Sequence, residues 1–275
     1  MTLSYYIKGH ILNIIKMIGN KIPDPLKSRN IIFKNKHKGQ RCFILGSGHS
    51  ILTQDLTKLN GEIVFTQNHF HAHKDIAIIR PTYHVVVPMF QPPEYDKDWV
   101  KWLEGMEEKL PDDTIFFMGA NTKKIVDEHS HIADRTYYMD HGLDPVLMNK
   151  AVIDITQRIM NVQTVITQCI TIALYMGFDK IYLLGFDLDQ IVHLAQNRDN
   201  VRFYGNSPVT DNNAERGFEE VLGSSGEDYY NQWMIWKQLN LLKRHAESKG
   251  IEIINLTNGG LLNVFKRQSY ESIIN

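Results

Sequence analysis

The stretch Arg41-Cys42-Phe43-Ile44-Leu45-Gly46-Ser47-Gly48-His49-Ser50 decides the fold prediction. An apolar run from Cys42 to Leu45 is typical of a buried strand, and it breaks into a Gly-x-Gly turn. Residues 51–59 are predicted to continue as a helix. Such a unit often holds a phosphate, because glycine lets the backbone approach the ligand and the first helical N–H groups face the anion. The stretch therefore predicts a nucleotide site, with a tight turn that binds nothing as the alternative.

The turn lacks two better-known phosphate signatures. The dinucleotide fingerprint requires Gly or Ala where Ile51 stands, and an acidic residue about 20 positions further on. Here the second predicted strand ends in the amides Gln67 and Asn68 instead. A P-loop is also excluded, because no Lys-Ser or Lys-Thr pair follows the glycines.

Composition narrows the class of protein. The chain has 275 residues, 30 basic and 31 acidic side chains and a formal net charge of -1, so nothing in the balance indicates nucleic-acid binding. Cys42 and Cys169 are predicted to be buried free thiols in a reducing compartment. No apolar run approaches the roughly 20 residues of a membrane-spanning helix, and Lys8 and His10 interrupt any secretory leader. A cytoplasmic location follows as the expectation.

Strands alternate with helices along the body of the chain, which predicts an α/β fold. We expect a Rossmann-like, mainly parallel sheet with helices on both faces, in a single domain with a polar lid. A basic amphipathic segment, residues 1–40, precedes the Rossmann-like domain, residues 41–275. Predicted strands are residues 42–45, 63–66, 83–87, 114–117, 136–139, 181–184 and 251–254; predicted helices are residues 51–59, 96–108, 122–128, 162–176 and 229–248.

Ligands of parallel sheets bind outside the carboxyl ends of the strands, so the residues there are site candidates. The predicted binding residues are Gly46, Ser47, Gly48, Ser50, Asn68, Gly185, Asp187 and Asp189. Asp187 and Asp189 either hold a divalent ion that bridges a diphosphate, or Asp187 accepts a ribose or base hydrogen bond while Asp189 caps a turn.

Residues 189–226 are long, polar and without periodicity, which predicts a lid over the strand ends. Within the lid, His193 is either a general base suited to neutral pH or a surface residue. His69, His71 and His73 follow Asn68 at spacings of two. They are either a zinc-like set or a polar helix start that lines the cleft.

The first 40 residues combine apolar residues at helical spacing with eight basic side chains and one acid, Asp24. They form either a helix packed on the body with a solvated basic face, or an interfacial helix held by anionic lipid. The second alternative predicts peripheral contact with the inner face of a membrane.

Four segments together resemble a known family. They are Phe43-Ile44-Leu45-Gly46-Ser47-Gly48-His49-Ser50-Ile51, Phe65-Thr66-Gln67-Asn68-His69-Phe70, residues 170–187 and residues 250–257. In order and spacing they resemble the bacterial lipooligosaccharide sialyltransferases, and a wider group of surface-polysaccharide proteins that includes archaeal-type pterin diphosphokinases. The resemblance covers most of residues 41–265.

The resemblance implies a Rossmann-like glycosyltransferase with a nucleotide-activated sugar as donor. In the sialyltransferases that donor is a cytidine monophosphate (CMP) sugar, and neither a metal nor another cofactor is required. Ser47 falls where the family places a donor-contacting Asn, and Asn68 matches a second one. Gly185 and Asp187 match nucleotide-contacting positions.

The chain also departs from the family pattern. Val162-Gln163-Thr164-Val165 replaces an Arg-x-Thr-Ser run, and Asp189 stands where the family has Tyr. Arg202-Phe203-Tyr204 stands near the place of a His-Tyr general base, which leaves His193 as the candidate base.

The implied mechanism is a single displacement, in which a base takes the acceptor proton while Tyr204 and the turn amides stabilise the leaving phosphate. The implied partners are a nucleotide sugar and a glycan or glycolipid acceptor from surface polysaccharide or lipopolysaccharide synthesis. A homo-oligomer is left open. The alternatives are an ATP-dependent diphosphokinase of the pterin type, with Asp187 and Asp189 on magnesium, and a non-catalytic nucleotide-binding scaffold.

Overall fold

The computed structural model describes residues 3–19, 24–86, 88, 96–189, 191–192, 202–204 and 225–274, without the side chains of residues 3–6, 96 and 225–228. The predicted base His193 and most of the predicted lid lie outside these residues. Strands in the described part are β1 Arg41–Leu45, β2 Val64–Gln67, β3 Tyr83–Val85, β4 Ile115–Gly119, β5 Thr136–Leu143, β6 Arg158–Met160, β7 Lys180–Leu184, β8 Glu252–Asn255 and β9 Lys266–Arg267. Helices there are α1 Leu3–Gly19, α2 Pro25–Ser28, α3 Ile76–Ile79, α4 Asp96–Lys109, α5 Lys123–His129, α6 Val165–Met176, α7 Ser225–Ser248 and α8 Glu271–Ile274.

The nine strands form one sheet in the order β6-β5-β4-β3-β2-β1-β7-β8-β9, and all of its pairs are parallel. The prediction of a Rossmann-like parallel sheet is therefore confirmed. β1 pairs with β2 on one side and with β7 on the other. The strands β2 to β6 therefore lie on one side of β1, and β7 to β9 lie on its other side. The strand order thus reverses between β1 and β7.

Apolar side chains cover both faces of the sheet. Along β1, Cys42 and Ile44 join the core that contains α6, while Phe43 and Leu45 join the core on the other face. All twelve residues of α6 are buried, and the helix ends at Gly177, whose φ of 78° places it in the left-handed region that favours glycine. Both cysteines are buried free thiols.

The helix predicted for residues 51–59 is wrong. Two short 3₁₀ turns, His49–Thr53 and Leu56–Leu59, take its place. Gln54 is extended between them, and the Asp55 side chain caps the second turn by accepting from the Thr57 amide at 3.2 Å. The glycine turn is therefore not followed by the N-terminus of an α-helix.

Residues 3–19 and 24–40 pack on the body along β5 and the turn Pro145–Leu147. Phe33 is buried with its ring centroid 4.9 Å from Phe117, and Asn30 donates to the carbonyls of Tyr138 and Ile155 at 2.9 and 2.8 Å. In the part of the chain that is described, no helix has the length and apolarity needed to cross a bilayer.

Candidate functional site

A cleft opens at the carboxyl edge of the sheet, where β1, β2 and β7 end. Ligands of open α/β sheets bind at the point where the strand order reverses, and this cleft lies at that point. It is lined by Ser47, Gly48, Gln67, Asn68, Thr164, Val165, Gly185, Phe186, Asp187, Leu188, Asp189, Arg202 and Tyr204.

The glycine turn after β1 is pressed against the turn after β7. The Gly46 amide donates to the Leu184 carbonyl at 2.7 Å, and the Gly48 amide donates to the Gly185 carbonyl at 2.8 Å. A Cβ atom on Gly46 would lie 2.7 Å from the Phe186 ring, and one on Gly48 would lie 2.7 Å from the Gly185 carbonyl oxygen. These glycines are required for contact between the two turns, and their amides are already used inside the protein.

Asp187 braces the glycine turn. Its side chain is buried, and its Oδ2 accepts from the Ser50 amide at 3.0 Å while its Oδ1 accepts from the Ser50 hydroxyl. Ser50 was predicted to bind the ligand, and its amide and hydroxyl face this carboxylate instead. Asp187 and Ser50 thus hold the shape of the cleft wall.

The turn after β7 adopts an uncommon backbone. Gly185 and Leu188 have φ values of 69° and 48°, and a positive φ in a non-glycine residue stores strain that often occurs at binding sites. Thr257 and Leu261 hold the turn from behind: the Phe186 amide donates to Thr257 Oγ1 at 3.1 Å, and the Leu261 amide donates to the Asp187 carbonyl at 2.7 Å.

Asn68 follows β2 in a left-handed conformation, with a φ of 46°. Its carbonyl accepts from His84 Nε2 at 3.0 Å, so His84 Nδ1 is left to accept from the Thr66 hydroxyl at 2.8 Å. Burial lowers the pKa of His84 well below its usual value, which keeps the ring neutral in this relay. The relay fixes the backbone on which Gln67 and Asn68 face the cleft.

The N-terminus of α6 faces the cleft through Thr164 and Val165. The partial positive charge at the start of a helix attracts anions. This helix therefore presents to the cleft the kind of N-terminus that the sequence prediction had placed after the glycine turn. Thr164 is a preferred N-cap residue type ahead of an apolar run, and that signal could have located the site.

Residues 202–204 form another wall. Arg202 makes an antiparallel bridge with Gly48, and the Phe203 amide donates to the Ser47 carbonyl at 3.0 Å. The exposed Arg202 side chain donates to the Tyr204 hydroxyl at 2.9 Å. Arg202 thus brings a cation to the glycine turn, a role that sequence reasoning missed because the contact joins distant parts of the chain.

The three histidines after Asn68 lie behind the cleft. His69 stacks on Trp102 with centroids 4.5 Å apart, and Tyr204 packs edge-on against it at 5.4 Å. Burial, with help from His71 and Arg202, lowers the pKa of His69 to about 3. None of the three lines the cleft, which contradicts the expectation of a polar helix start there. Among described residues, no group of three or more His, Cys, Asp or Glu side chains is arranged to hold a metal ion.

The structure thus brings most of the predicted binding residues to one cleft. Ser47, Gly48, Asn68, Gly185, Asp187, Asp189 and Tyr204 line it, and Gly46 and Ser50 lie beside it in the glycine turn. The cleft is also lined by residues outside the predicted binding set, namely Gln67, Thr164, Val165, Phe186, Leu188 and Arg202.

Comparison with solved structures finds the sialyltransferase CstII from Campylobacter jejuni. Its complex with the substrate analogue cytidine-5'-monophosphate is 15% identical over 84% of this chain and 86% of that chain, with a TM-score of 0.49. Its complex with a trisaccharide acceptor and CMP is 14% identical over 84% and 86%, with a TM-score of 0.46. No model of a protein family and no curated protein matches.

Proposed function

We propose that the chain is a glycosyltransferase and that its donor is a CMP-activated sugar of the sialic acid type. The observation that carries the proposal is the pairing of the α6 N-terminus with Arg202 in a cleft at the strand-order reversal. A helix N-terminus and a guanidinium both favour a phosphate. The family resemblance of the segments around Gly46, Asn68 and Asp187 supplies the donor class.

The Gln67 side chain supports the proposal that the donor carries a nucleoside. This residue lines the cleft with only 7% of its side chain exposed, and its Oε1 has no hydrogen-bond partner among the described residues. A buried acceptor without a partner costs about 1–3 kcal/mol, and an amino or hydroxyl group of a nucleoside would remove that cost.

The reaction is a single displacement at the anomeric carbon. The acceptor hydroxyl oxygen forms the new bond to that carbon as its bond to the phosphate oxygen breaks, and CMP leaves with the bonding electron pair. Arg202 and the α6 N-terminus stabilise the charge that develops on the leaving phosphate. Tyr204 holds Arg202 through its hydroxyl.

The acceptor proton requires a base. His69 is unsuited, because a ring with a pKa of about 3 is a weak base at neutral pH. We therefore retain His193 as the base. His193→Ala is expected to keep donor binding and to lose transfer by roughly 100- to 10,000-fold, which stopped-flow or end-point assays of CMP release would measure. Wild-type transfer by this variant would eliminate His193.

The diphosphokinase alternative has weaker support from the cleft. Both carboxylate oxygens of Asp187 already accept from Ser50, so fewer of their lone pairs remain for magnesium. The proposal contains no metal step, so transfer from a CMP-sugar should persist in excess chelator. Loss of turnover in chelator, restored by magnesium, would instead favour a diphosphate donor or ATP-dependent diphosphate transfer. The proposed acceptor is a glycan or glycolipid of bacterial surface polysaccharide or lipopolysaccharide synthesis.

Calorimetric titration with CMP tests the donor site directly. Arg202→Ala should weaken CMP binding by roughly 10- to 100-fold, because a hydrogen bond to a charged group contributes about 1.5–3 kcal/mol. Arg80→Ala is the matched control, since Arg80 is an exposed arginine that contacts Asp113 at 3.5 Å. Equal CMP affinity in the Arg202 and Arg80 variants would contradict the phosphate role. Binding of AMP or UMP as tightly as CMP would contradict the donor class.

A further inference from the structure

Helix α1 packs on the body through its polar side and exposes its apolar side. Gly9, Asn13 and Lys16, at helical spacing, face the body: Gly9 lies against Leu147, and Lys16 donates to the Gly142 carbonyl at 2.6 Å. Asn13 donates to the Asp144 carbonyl and accepts from the Asp144 amide, both at 3.1 Å. Only 4% of Asn13 is exposed.

The opposite side of α1 is a stripe of four isoleucines, Ile7, Ile11, Ile14 and Ile18, which we call the isoleucine stripe. Their exposed fractions are 53, 52, 55 and 59%, respectively. Residues at spacings of four, three and four share one helix face, so the stripe is continuous. A contiguous apolar surface of this kind marks an interaction site.

The N-terminal part of α7 carries two exposed aromatic rings. Tyr230 and Trp233 are 41 and 48% exposed, and their centroids lie 5.9 Å apart. α7 reaches the same turn on which α1 packs: Met234 clusters with Val146 and Leu147, and Lys237 donates to the Val146 carbonyl. The isoleucine stripe and these rings therefore belong to neighbouring helices on one turn.

The basic excess of the N-terminal segment favours an anionic partner. Residues 1–40 contain eight basic side chains and a single acid, Asp24. On α1 itself, Lys8 is exposed and lies three residues before Ile11, so the two are neighbours on the helix surface. Exposed isoleucines, a lysine next to them, and exposed Trp and Tyr on a helix that packs on the same turn are features of helices that lie in a bilayer interface.

We propose that the isoleucine stripe, together with Tyr230 and Trp233, lies on an anionic lipid bilayer. α1 is anchored at the carboxyl end of β5, through Gly142 and Asp144. Because all strands are parallel, this is the same edge of the sheet as the cleft. The surface would therefore bring the cleft near lipid-linked acceptors, a consequence that rests on the proposed function; lipid binding itself does not.

Flotation with vesicles tests the proposal without any assay of transfer. The full chain should float with vesicles of equal phosphatidylcholine and phosphatidylglycerol, and less with phosphatidylcholine alone or at high salt. The double variant Ile11→Glu/Ile18→Glu should bind about tenfold more weakly or not at all, because each charge must enter the interface. Ile78→Glu is the matched control, since Ile78 is 47% exposed on α3, and it should float like the wild type. Circular dichroism checks that all variants are folded.

A second readout reports on α7. Trp99 and Trp102 are buried and Trp236 is half-buried against the core, so lipids brominated in their acyl chains should quench Trp233 most, and Trp233→Phe should lose most of the quenching. Failure of the wild type to float at low salt, or equal flotation of the double variant, would overturn the proposal. If the wild type does not float but forms dimers, and the double variant is monomeric, the surface would be assigned to contact with a second copy of the chain. A variant that no longer floats but binds CMP normally, or one that floats but no longer binds CMP, would show that lipid binding and donor binding are separate properties.

Discussion

Helices α1 and α6 are both strongly apolar, yet the protein uses them in opposite ways. Every residue of α6 is buried, and its apolar side chains form much of the core on one face of the sheet. α1 instead buries Asn13 and exposes its isoleucines. Apolar composition therefore shows that a helix needs an apolar neighbour, while only tertiary contacts show whether that neighbour belongs to the same chain.

The largest expected contrast comes from the same substitution in both helices. Ile170→Ala in α6 should lower the free energy of unfolding by about 2–5 kcal/mol, because it leaves a cavity in a packed core. Ile14→Ala in α1 should change it by less than about 0.5 kcal/mol, because 55% of Ile14 is exposed. Urea titration of both variants measures the difference. A comparable loss in both would mean that the stripe packs within the chain.

An intermediate effect is expected from pH. His141 on β5 contacts Gln168 of α6 at 2.8 Å, and burial lowers its pKa to about 4. As the pH falls, His141 is protonated in the unfolded chain near pH 6.5, but in the folded chain only near pH 4. Protonation therefore favours the unfolded chain, and stability is lost below about pH 6.5. Between pH 7 and pH 5 the His141 contribution should fall by about 2 kcal/mol.

Urea titration of His141→Phe and the wild type at pH 7 and pH 5 should show a pH-dependent loss that is about 2 kcal/mol smaller in the variant. A loss that is identical in His141→Phe and the wild type would show that the His141 ring is accessible to protons when folded.

The smallest effect concerns the polar anchor of α1. Asn13→Ala removes two hydrogen bonds to Asp144, so the free energy of opening α1 should fall by about 1–2 kcal/mol. Hydrogen exchange should show this change in α1 and no change in α6. Ile15→Ala is the control on the same helix, because Ile15 is 58% exposed. Equal hydrogen-exchange protection of α1 in Asn13→Ala and Ile15→Ala would show that the Asn13 hydrogen bonds do not hold α1 on the body.

The sequence was sufficient for features that depend on local pattern. Continuous apolar runs identified β1, β7 and α6, and their alternation predicted the parallel sheet. β6 and β9 were missed, because three and two residues are too short for a periodic pattern, and Lys266 and Arg267 are exposed charges. Those strands exist through pairing with neighbours that a local pattern does not reveal.

The candidate site was predictable only at the strand ends. The strand-end rule led to Ser47, Asn68 and Asp187, but it could not show that the carboxylate of Asp187 is bonded to Ser50. Nor could it bring Arg202 to Gly48, because that bridge joins residues far apart in the chain. The same limit applied to α1, where the apolar pattern was visible and the direction in which it faces was not.

The position of β1 in the sheet has a consequence for biosynthesis. The edge of β1 that pairs with β2 can form its hydrogen bonds soon after β1 is synthesised. The other edge can form its hydrogen bonds only after β7 is synthesised. β7 emerges about 140 residues later, on the order of ten seconds of translation. Through that interval the nascent chain carries an open strand edge in its middle, and a glycine turn without the carbonyls of Leu184 and Gly185 that later hold it. The central part of the cleft is thus assembled only after β7 has left the ribosome.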